Sequence, residues 1–420
     1  MLRVSNMAAN LIGSEIIKLA GEINALIQQG QKIYNLTIGD FDPAVFPIPA
    51  ELTAAIAQAY QQGHTNYPLA DGMLVLRQAV AQFLAKYQGL SYPTNDVLIA
   101  GGARPLIYAL YQTLLDPQDT VLFPVPSWNN NHYTHLANAQ SIFIETRPED
   151  NFMPTAAELK PHLSQATLLA LCSPLNPTGT VFSREALAEI CEMVLAENKN
   201  REAQGRKPLY ILYDQIYWTL TFGQTQHFDP VSLFPELRPY TIFIDGLSKA
   251  FAATGVRIGW AFGPGEVIAK MKSILGHVGA WAPKAEQVAT AQYLQQEQAV
   301  SAFLSEFKTA LHNRLQGIYE GIEALRAEGF PVQAIAPQAA IYLTAQFNLL
   351  GRRTPQGKVL SSTPEITAYL LHEAKLAIVP FSAFGASADS TWYRISVGTC
   401  RMEDIPALLA ALRTALAALS

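Results

Sequence analysis

Apolar residues recur at three- and four-residue steps through Ile16, Ile17, Leu19, Ala20, Ile23, Leu26 and Ile27, so residues 14–29 are expected to form an amphipathic helix that Gly30 ends. Beyond it the pattern switches repeatedly between short apolar runs and longer stretches of helical period. The runs at 33–38, 97–100, 120–125, 141–145, 167–172 and 209–213 read as strands. Helical period at 49–62, through Leu76, Val80 and Leu84, and at 106–115 and 184–197 supplies the elements between them. Such alternation predicts an α/β fold built on a mainly parallel sheet. A strand at 256–262 follows the run at 241–244 too closely for a helical crossover, so it is expected to be antiparallel. Helical period then persists from 286 to 328. The tail carries strands at 340–347 and 393–397, a Gly/Pro/Ser-rich loop at 351–364 and a closing Ala/Leu helix from Ile405, and no internal repeat is present.

Length changes this picture by adding a second domain, since 420 residues exceed the usual size of one. Half of the residues are apolar and 15% are charged, which allows a large core, and no run of eighteen apolar residues marks a membrane span. A formal net charge of -5 argues against a nucleic-acid partner. Cys172, Cys191 and Cys400 are odd in number and far apart, which suggests neither a disulfide framework nor a metal site and fits a reducing compartment. With no secretory signal evident, a cytoplasmic location is expected.

The candidate chemistry centres on Asp245-Gly246-Leu247-Ser248-Lys249, where an apolar strand delivers one lysine into a Gly/Ser turn. A solvated charge has no reason to sit there, whereas a partly desolvated amine has a lowered pKa and can attack a carbonyl. Arg257, eight positions on and just past Gly255 and Val256, offers a fixed cation for an anionic group near that amine. Asp214 ends the strand at 209–213, where a carboxylate needs either a cationic partner or a role as helix N-cap. Two prolines and Gly179 hold Asn176 in a rigid loop, and Gly101-Gly102-Ala103-Arg104 joins a strand to a helix in the form that exposes backbone N–H groups to a phosphate. Arg394, inside an apolar run, suits a charge-assisted grip on a carboxylate.

Taken in order, these stretches resemble the class I/II aminotransferases of pyridoxal-phosphate fold type I. The lysine signature is complete through Gly259, Pro174-Leu175-Asn176-Pro177-Thr178-Gly179 matches the asparagine motif, and Tyr393-Arg394-Ile395-Ser396 matches the arginine strand. The resemblance implies a mainly parallel seven-stranded sheet sandwiched by helices, roughly residues 46–300, with a smaller α/β domain formed by 1–45 and 301–420. It implies that Lys249 forms the Schiff base with pyridoxal 5'-phosphate, that Asp214 pairs with the ring nitrogen, and that Asn176 and Tyr217 bond the phenolic oxygen. By the same resemblance Gly102, Ala103, Ser248 and Arg257 surround the phosphate, Trp128 stacks on the ring, and Arg104 stands close by. Gly39 and Arg394 meet the substrate carboxylate. Tyr67 reaches the phosphate of the other subunit, so a homodimer with shared active sites is expected.

The implied reaction moves an amino group between an L-amino acid and a 2-oxo acid, with Lys249 as general acid and base. A lyase on the same scaffold, a carbon–sulfur lyase or an aminocyclopropane-carboxylate synthase, shares nearly all of these residues and is the alternative. A non-catalytic binding module leaves Lys249 without a purpose. A dicarboxylate substrate asks for a second cation, for which Arg104, His277 and Lys284 are candidates. Trp128, Trp281 and Phe381 point instead to an apolar or aromatic side chain, Phe381 standing where the family's Pro-Gly-x-x-Phe-Gly turn has glycine.

Overall fold

A computed structural model of the chain describes residues 4–11 and 15–420. Seven strands form the central sheet: β1 (Val97–Ala100), β2 (Thr120–Val125), β3 (Gln140–Glu145), β4 (Ala166–Cys172), β5 (Tyr210–Asp214), β6 (Thr241–Gly246) and β7 (Gly259–Phe262). They lie in the order β1-β7-β6-β5-β4-β2-β3. All neighbours run parallel except β7, which is antiparallel to β1 and β6, as the short connection from Lys249 requires.

Alternate residues of each strand feed two cores, which is why these strands are apolar nearly throughout. Leu98, Leu212, Ile242 and Ile244 pack with Leu106, Leu110 and Leu114 of the helix Ala103–Leu114 and with Ile268 and Met271 of the helix Gly265–Val278. Ile211, Tyr213, Phe243 and Phe262 pack on the opposite face with Val80 and Phe83 of the helix Leu74–Gln88 and with Tyr293. This parity sends the two strand-terminal carboxylates in opposite directions. Asp214 shares the face of Leu212, while Asp245 shares that of Tyr213 and accepts a hydrogen bond from Trp218 Nε1 at 2.8 Å.

A second, antiparallel sheet is built from β8 (Val332–Ala334), β9 (Tyr342–Phe347), β10 (Val379–Pro380) and β11 (Trp392–Ser396) in the order β10-β11-β9-β8. The long helix Glu297–Ala327 joins the two cores. Val300 packs in the first, and Phe307, Leu311, Leu315, Ile318, Ile322 and Leu325 form a stripe at three- and four-residue steps in the second.

Several expected elements differ. The first long helix spans Glu15–Gln28, while Ser14 and the side chains of Ile16 and Ile17 lie outside the described residues. The run at 33–38 contributes only Tyr34–Asn35, paired parallel with Leu376–Ala377. Past Asn35 other bonds replace the ladder: the carbonyl of Leu36 accepts from Ser396 N, that of Thr37 from Arg394 Nη2, and that of Ile38 from Ser396 Oγ. The helical stretch at 286–328 is two helices, Lys284–Leu294 and Glu297–Ala327, separated at Gln295 and Gln296. The strand placed at 256–262 begins only at Gly259, because Arg257 has a positive φ of 61°.

Candidate functional site

The carboxyl ends of β4, β5 and β6 lie side by side and open on a cavity of about 660 Å³. Asp214 is the last residue of β5, and Asn176 and Lys249 lie within four residues of the ends of β4 and β6, as expected for ligands bound outside a parallel sheet. The cavity wall also contains Gly39, Ala103, Arg104, Trp128, Tyr217, Ser248, Arg257 and Arg394. Eleven of the thirteen residues that the resemblance assigns to the cofactor or the substrate carboxylate therefore line one space. The exceptions are Gly102, which is covered by a wall residue, and Tyr67.

Lys249 Nζ donates to the carbonyl of Gly39 at 2.6 Å, tying the strand-end lysine to the N-terminal segment. Desolvation, with the cations Arg394, Arg104 and Arg257 nearby, brings its pKa down to about 8, against an opposing pull from Asp40. A useful fraction of neutral amine is thus present near pH 7–8. Asp40, which the sequence left without a role, is held by Thr254 Oγ1 at 2.5 Å and by the Phe41 N–H at 2.8 Å.

Desolvation pushes Asp214 up to about 6, opposed by the Ile216 N–H, which donates to its Oδ1 at 3.1 Å. The carboxylate therefore caps the turn that follows β5. Among the described residues it has no salt-bridge partner, so a cationic group entering the cavity is the partner it lacks.

Gly102 caps the N-terminus of the helix Ala103–Leu114 with φ 102°. A Cβ there would collide with the guanidinium of Arg257, at 2.8 Å from Cζ. Arg257 donates to the carbonyls of Gly101 at 2.7 Å and Thr254 at 2.8 Å. The helix N-terminus at Ala103, the Arg257 guanidinium and Ser248 all line the cavity, an arrangement suited to an anion.

Arg394 is buried and crosses the cavity floor. Nη1 donates to Asn176 Oδ1 at 3.0 Å and Nη2 to the carbonyl of Thr37 at 2.7 Å, while Nε is buried without a partner. Its guanidinium lies 4.7 Å from the Tyr342 ring centroid and 4.8 Å from that of Phe384. Tyr217 is buried, and its hydroxyl sits 2.7 Å from that of Tyr342. Sequence reasoning placed Tyr342 in a strand and gave it no role. The signal was its side of the strand, since cross-strand pairing of Tyr342 with Ser396 and Thr344 with Arg394 puts it on the face that Arg394 occupies.

Trp128 lines the cavity and carries the Arg104 guanidinium over its ring at 5.3 Å. Of the other candidate second cations, His277 lies in the last turn of the helix Gly265–Val278, and Lys284 donates to Asn66 Oδ1 at 2.6 Å, both outside the cavity wall. Two of the three aromatic residues that pointed to an apolar substrate are corrected in the same way. Phe381 is fully buried and packs edge-on against Phe152 at 5.0 Å, so its bulk fills the core where the family turn has glycine. Trp281 packs against Tyr67 at 5.3 Å, away from the cavity. Tyr67 is 81% exposed in the single chain and does not reach its own cavity.

Comparison with known proteins agrees with this geometry. The profile of the family described as aminotransferase class I and II matches residues 31–412. An aspartate aminotransferase of Bacillus sp. (strain YM-2) is 30% identical over 398 residues, covering 94% of this chain and 95% of that protein. A bifunctional aspartate aminotransferase and glutamate/aspartate-prephenate aminotransferase of Petunia hybrida is 30% identical over 387 residues, covering 91% and 76%. The crystal structure of the aspartate aminotransferase from Rhizobium meliloti superposes with a TM-score of 0.91 at 27% identity, covering 100% of both chains.

Proposed function

The chain belongs to the class I and II aminotransferases and moves an amino group between an L-amino acid and a 2-oxo acid, and we propose that it does so with pyridoxal 5'-phosphate held at the ends of β4, β5 and β6. The relatives are aminotransferases by name, so amino transfer is favoured over the lyase reaction. The observation that carries the cofactor reading is the pairing of a strand-end amine at about 8 with a strand-end carboxyl raised to about 6, flanking one cavity. Those groups, and the cradle of Gly102 and Arg257, fit a phosphorylated pyridine aldehyde: a nucleophile for the aldehyde, an anion for the ring nitrogen and donors for the phosphate.

Bound there, pyridoxal phosphate supplies a carbon that carries the amino group and a ring that accepts the electron pair left when the substrate Cα–H bond breaks. Arg394 clamps the substrate carboxylate in two charge-assisted hydrogen bonds and so orients Cα. Lys249 Nζ, neutral in part at the working pH, takes the Cα proton and later returns it. Asp214 stays ionised once a cation faces it and keeps the proton on the ring nitrogen. Because its Oδ1 is engaged by Arg394, Asn176 presents its amide N–H to the cavity, where with Tyr217 it serves the phenolic oxygen. Trp128 forms a flat wall for the ring.

The proposal extends to the substrate and the assembly. Arg104 lines the cavity without an acidic partner among the described residues, and an acidic amino acid such as aspartate or glutamate supplies one. A division into a domain of 46–300 and a second one of 1–45 with 301–420 is supported by the cavity lining, to which Asp214 and Lys249 of the first and Gly39 and Arg394 of the second contribute. A homodimer is supported by exposed apolar side chains at Tyr67, Leu69, Leu74 and Val75, and at Val278. Three unpaired thiols support a cytoplasmic location. No helix among the described residues is long and apolar enough to cross a membrane.

The test is the visible spectrum of the protein reconstituted with pyridoxal phosphate, before and after amino acids are added without an oxo acid. A visible band that aspartate or glutamate converts to the pyridoxamine type is the expected result. A protein that develops no band refutes the cofactor assignment.

A further inference from the structure

Tyr342 and Tyr217 share one short hydrogen bond, 2.7 Å between hydroxyl oxygens, with both side chains buried. A hydroxyl has a single proton to give. If Tyr217 spends its proton on Tyr342, it has none for a ligand in the cavity. If it donates to the ligand, the proton between the two oxygens has to come from Tyr342.

The surroundings favour the second arrangement. The Arg394 guanidinium over the Tyr342 ring, at 4.7 Å, makes that phenol the more acidic and hence the better donor. Gly39 lies on the other side, and a Cβ there would come within 2.9 Å of the Tyr342 oxygen, so the missing side chain leaves room for this hydroxyl. Strand β9 fixes the ring from below through its pairing with β11. Tyr217 is set on the turn after β5, its ring meeting that of Tyr342 edge-on at 5.5 Å.

We propose that Tyr342 is a positioning residue that donates to Tyr217 and thereby commits the Tyr217 proton to the phenolic oxygen of the cofactor, a role that rests on the pyridoxal phosphate reading above. The consequence is electrostatic. A stronger donor at the phenolic oxygen draws charge from it and lowers the proton affinity of the nitrogen that joins the cofactor to Lys249. Substrate docking on Arg394 acts on the same pair, because the carboxylate offsets the cation that acidifies Tyr342.

The test is a pH titration of the visible band in reconstituted wild type, Tyr342→Phe, Tyr217→Phe and the double variant. Tyr342→Phe keeps the packed ring and removes one oxygen, and it is expected to raise the titration midpoint by about half a pH unit or more. Tyr217→Phe moves it the same way and further. The double variant titrates like Tyr217→Phe alone, since Tyr342 acts only through Tyr217. Gly39→Ala provides a second variant that crowds the same hydroxyl while both tyrosines remain, with a rise again expected. A Tyr342→Phe midpoint equal to wild type, or a shift that adds in full to that of Tyr217→Phe, overturns the role of Tyr342 alone. Absence of the visible band in wild type overturns the cofactor reading and this inference together.

Discussion

The Arg394 guanidinium donates to Asn176 Oδ1 at 3.0 Å, so the residue proposed to grip the substrate also sets which end of the Asn176 amide faces the cavity. Arg394→Lys keeps the charge but loses the planar fork, and with it either the substrate contact or the amide contact. The expected result is a fall of about 10²-fold in kcat/KM for an amino acid, from a lost charge-assisted pair of about 2–3 kcal/mol. An amine lacking the α-carboxylate is expected to react equally poorly with both proteins, so steady-state kinetics on the two substrates isolates the contact.

Asp214 predicts opposite effects on stability and activity. Its folded pKa, about 6, lies above its ordinary 3.8, so the native state holds the proton more tightly than the unfolded chain. Relative to a neutral isostere, Asp214 therefore costs nothing below about pH 4, costs progressively more as the pH rises from 4 to 6, and exerts its full effect above 6. Asp214→Asn is expected to stabilise the cofactor-free protein by about 3 kcal/mol at pH 7.5, with the advantage vanishing toward pH 4. Amino transfer is expected to fall by about 10²–10³-fold or more. Denaturant melts of the apoprotein across pH, paired with activity of the reconstituted protein, separate the two effects.

Gly102→Ala tests the anion cradle. The new Cβ meets the Arg257 guanidinium, and the position also has φ 102°. Gly63→Ala is the control for strain alone, because its φ is 78° and nothing lies within 4 Å of its Cβ. Both variants are expected to lose about 1 kcal/mol of stability. Gly102→Ala alone is expected to weaken pyridoxal phosphate binding by about tenfold or more, read by spectral titration of the apoprotein.

The cavity-lining residues were legible in the sequence because the proposed chemistry sits at strand ends, where an apolar run, a glycine turn and one polar side chain occur at fixed spacing. The helix Arg184–Ala203 shows what hides a boundary. It was expected to stop near 197 because its last turns are polar, yet Asn198 bonds both backbone groups of Leu209, and Arg201 bonds Glu197 and the carbonyls of Leu163 and Ala166. Those polar side chains are buried and work as backbone partners, which composition cannot distinguish from a solvated face. Tyr342 escaped for a related reason. Its partner Tyr217 is 125 positions away, and only the register of β9 on β11 brings its hydroxyl to the cavity.

Tyr67 predicts complementation between defective subunits. If it serves the neighbouring protomer, a hybrid of Lys249→Ala and Tyr67→Ala chains has one site with both defects and one with neither. Mixing the unfolded variants and refolding them is expected to restore about a quarter of wild-type activity, since half of the dimers are hybrid. If Tyr67 serves its own site, each hybrid site carries one defect and activity stays at the level of the parents.

Arg104 is the proposed determinant of the substrate class. It is the second residue of the helix Ala103–Leu114, lies over Trp128 at 5.3 Å, and lines the cavity with no salt-bridge partner among the described residues. With Arg394 proposed to take the α-carboxylate, a substrate with one carboxylate would leave Arg104 unpaired, whereas aspartate or glutamate would engage both. Arg104→Ala is expected to lower kcat/KM for aspartate and glutamate by about 10–100-fold, corresponding to one charge-assisted contact. It is expected to leave alanine and leucine unchanged or improved, because removing the cation removes a desolvation cost for an apolar side chain. A uniform loss across all four amino acids assigns Arg104 to the support of Trp128 and the cofactor instead. An unchanged aspartate rate takes Arg104 out of substrate recognition and overturns the acidic-substrate proposal.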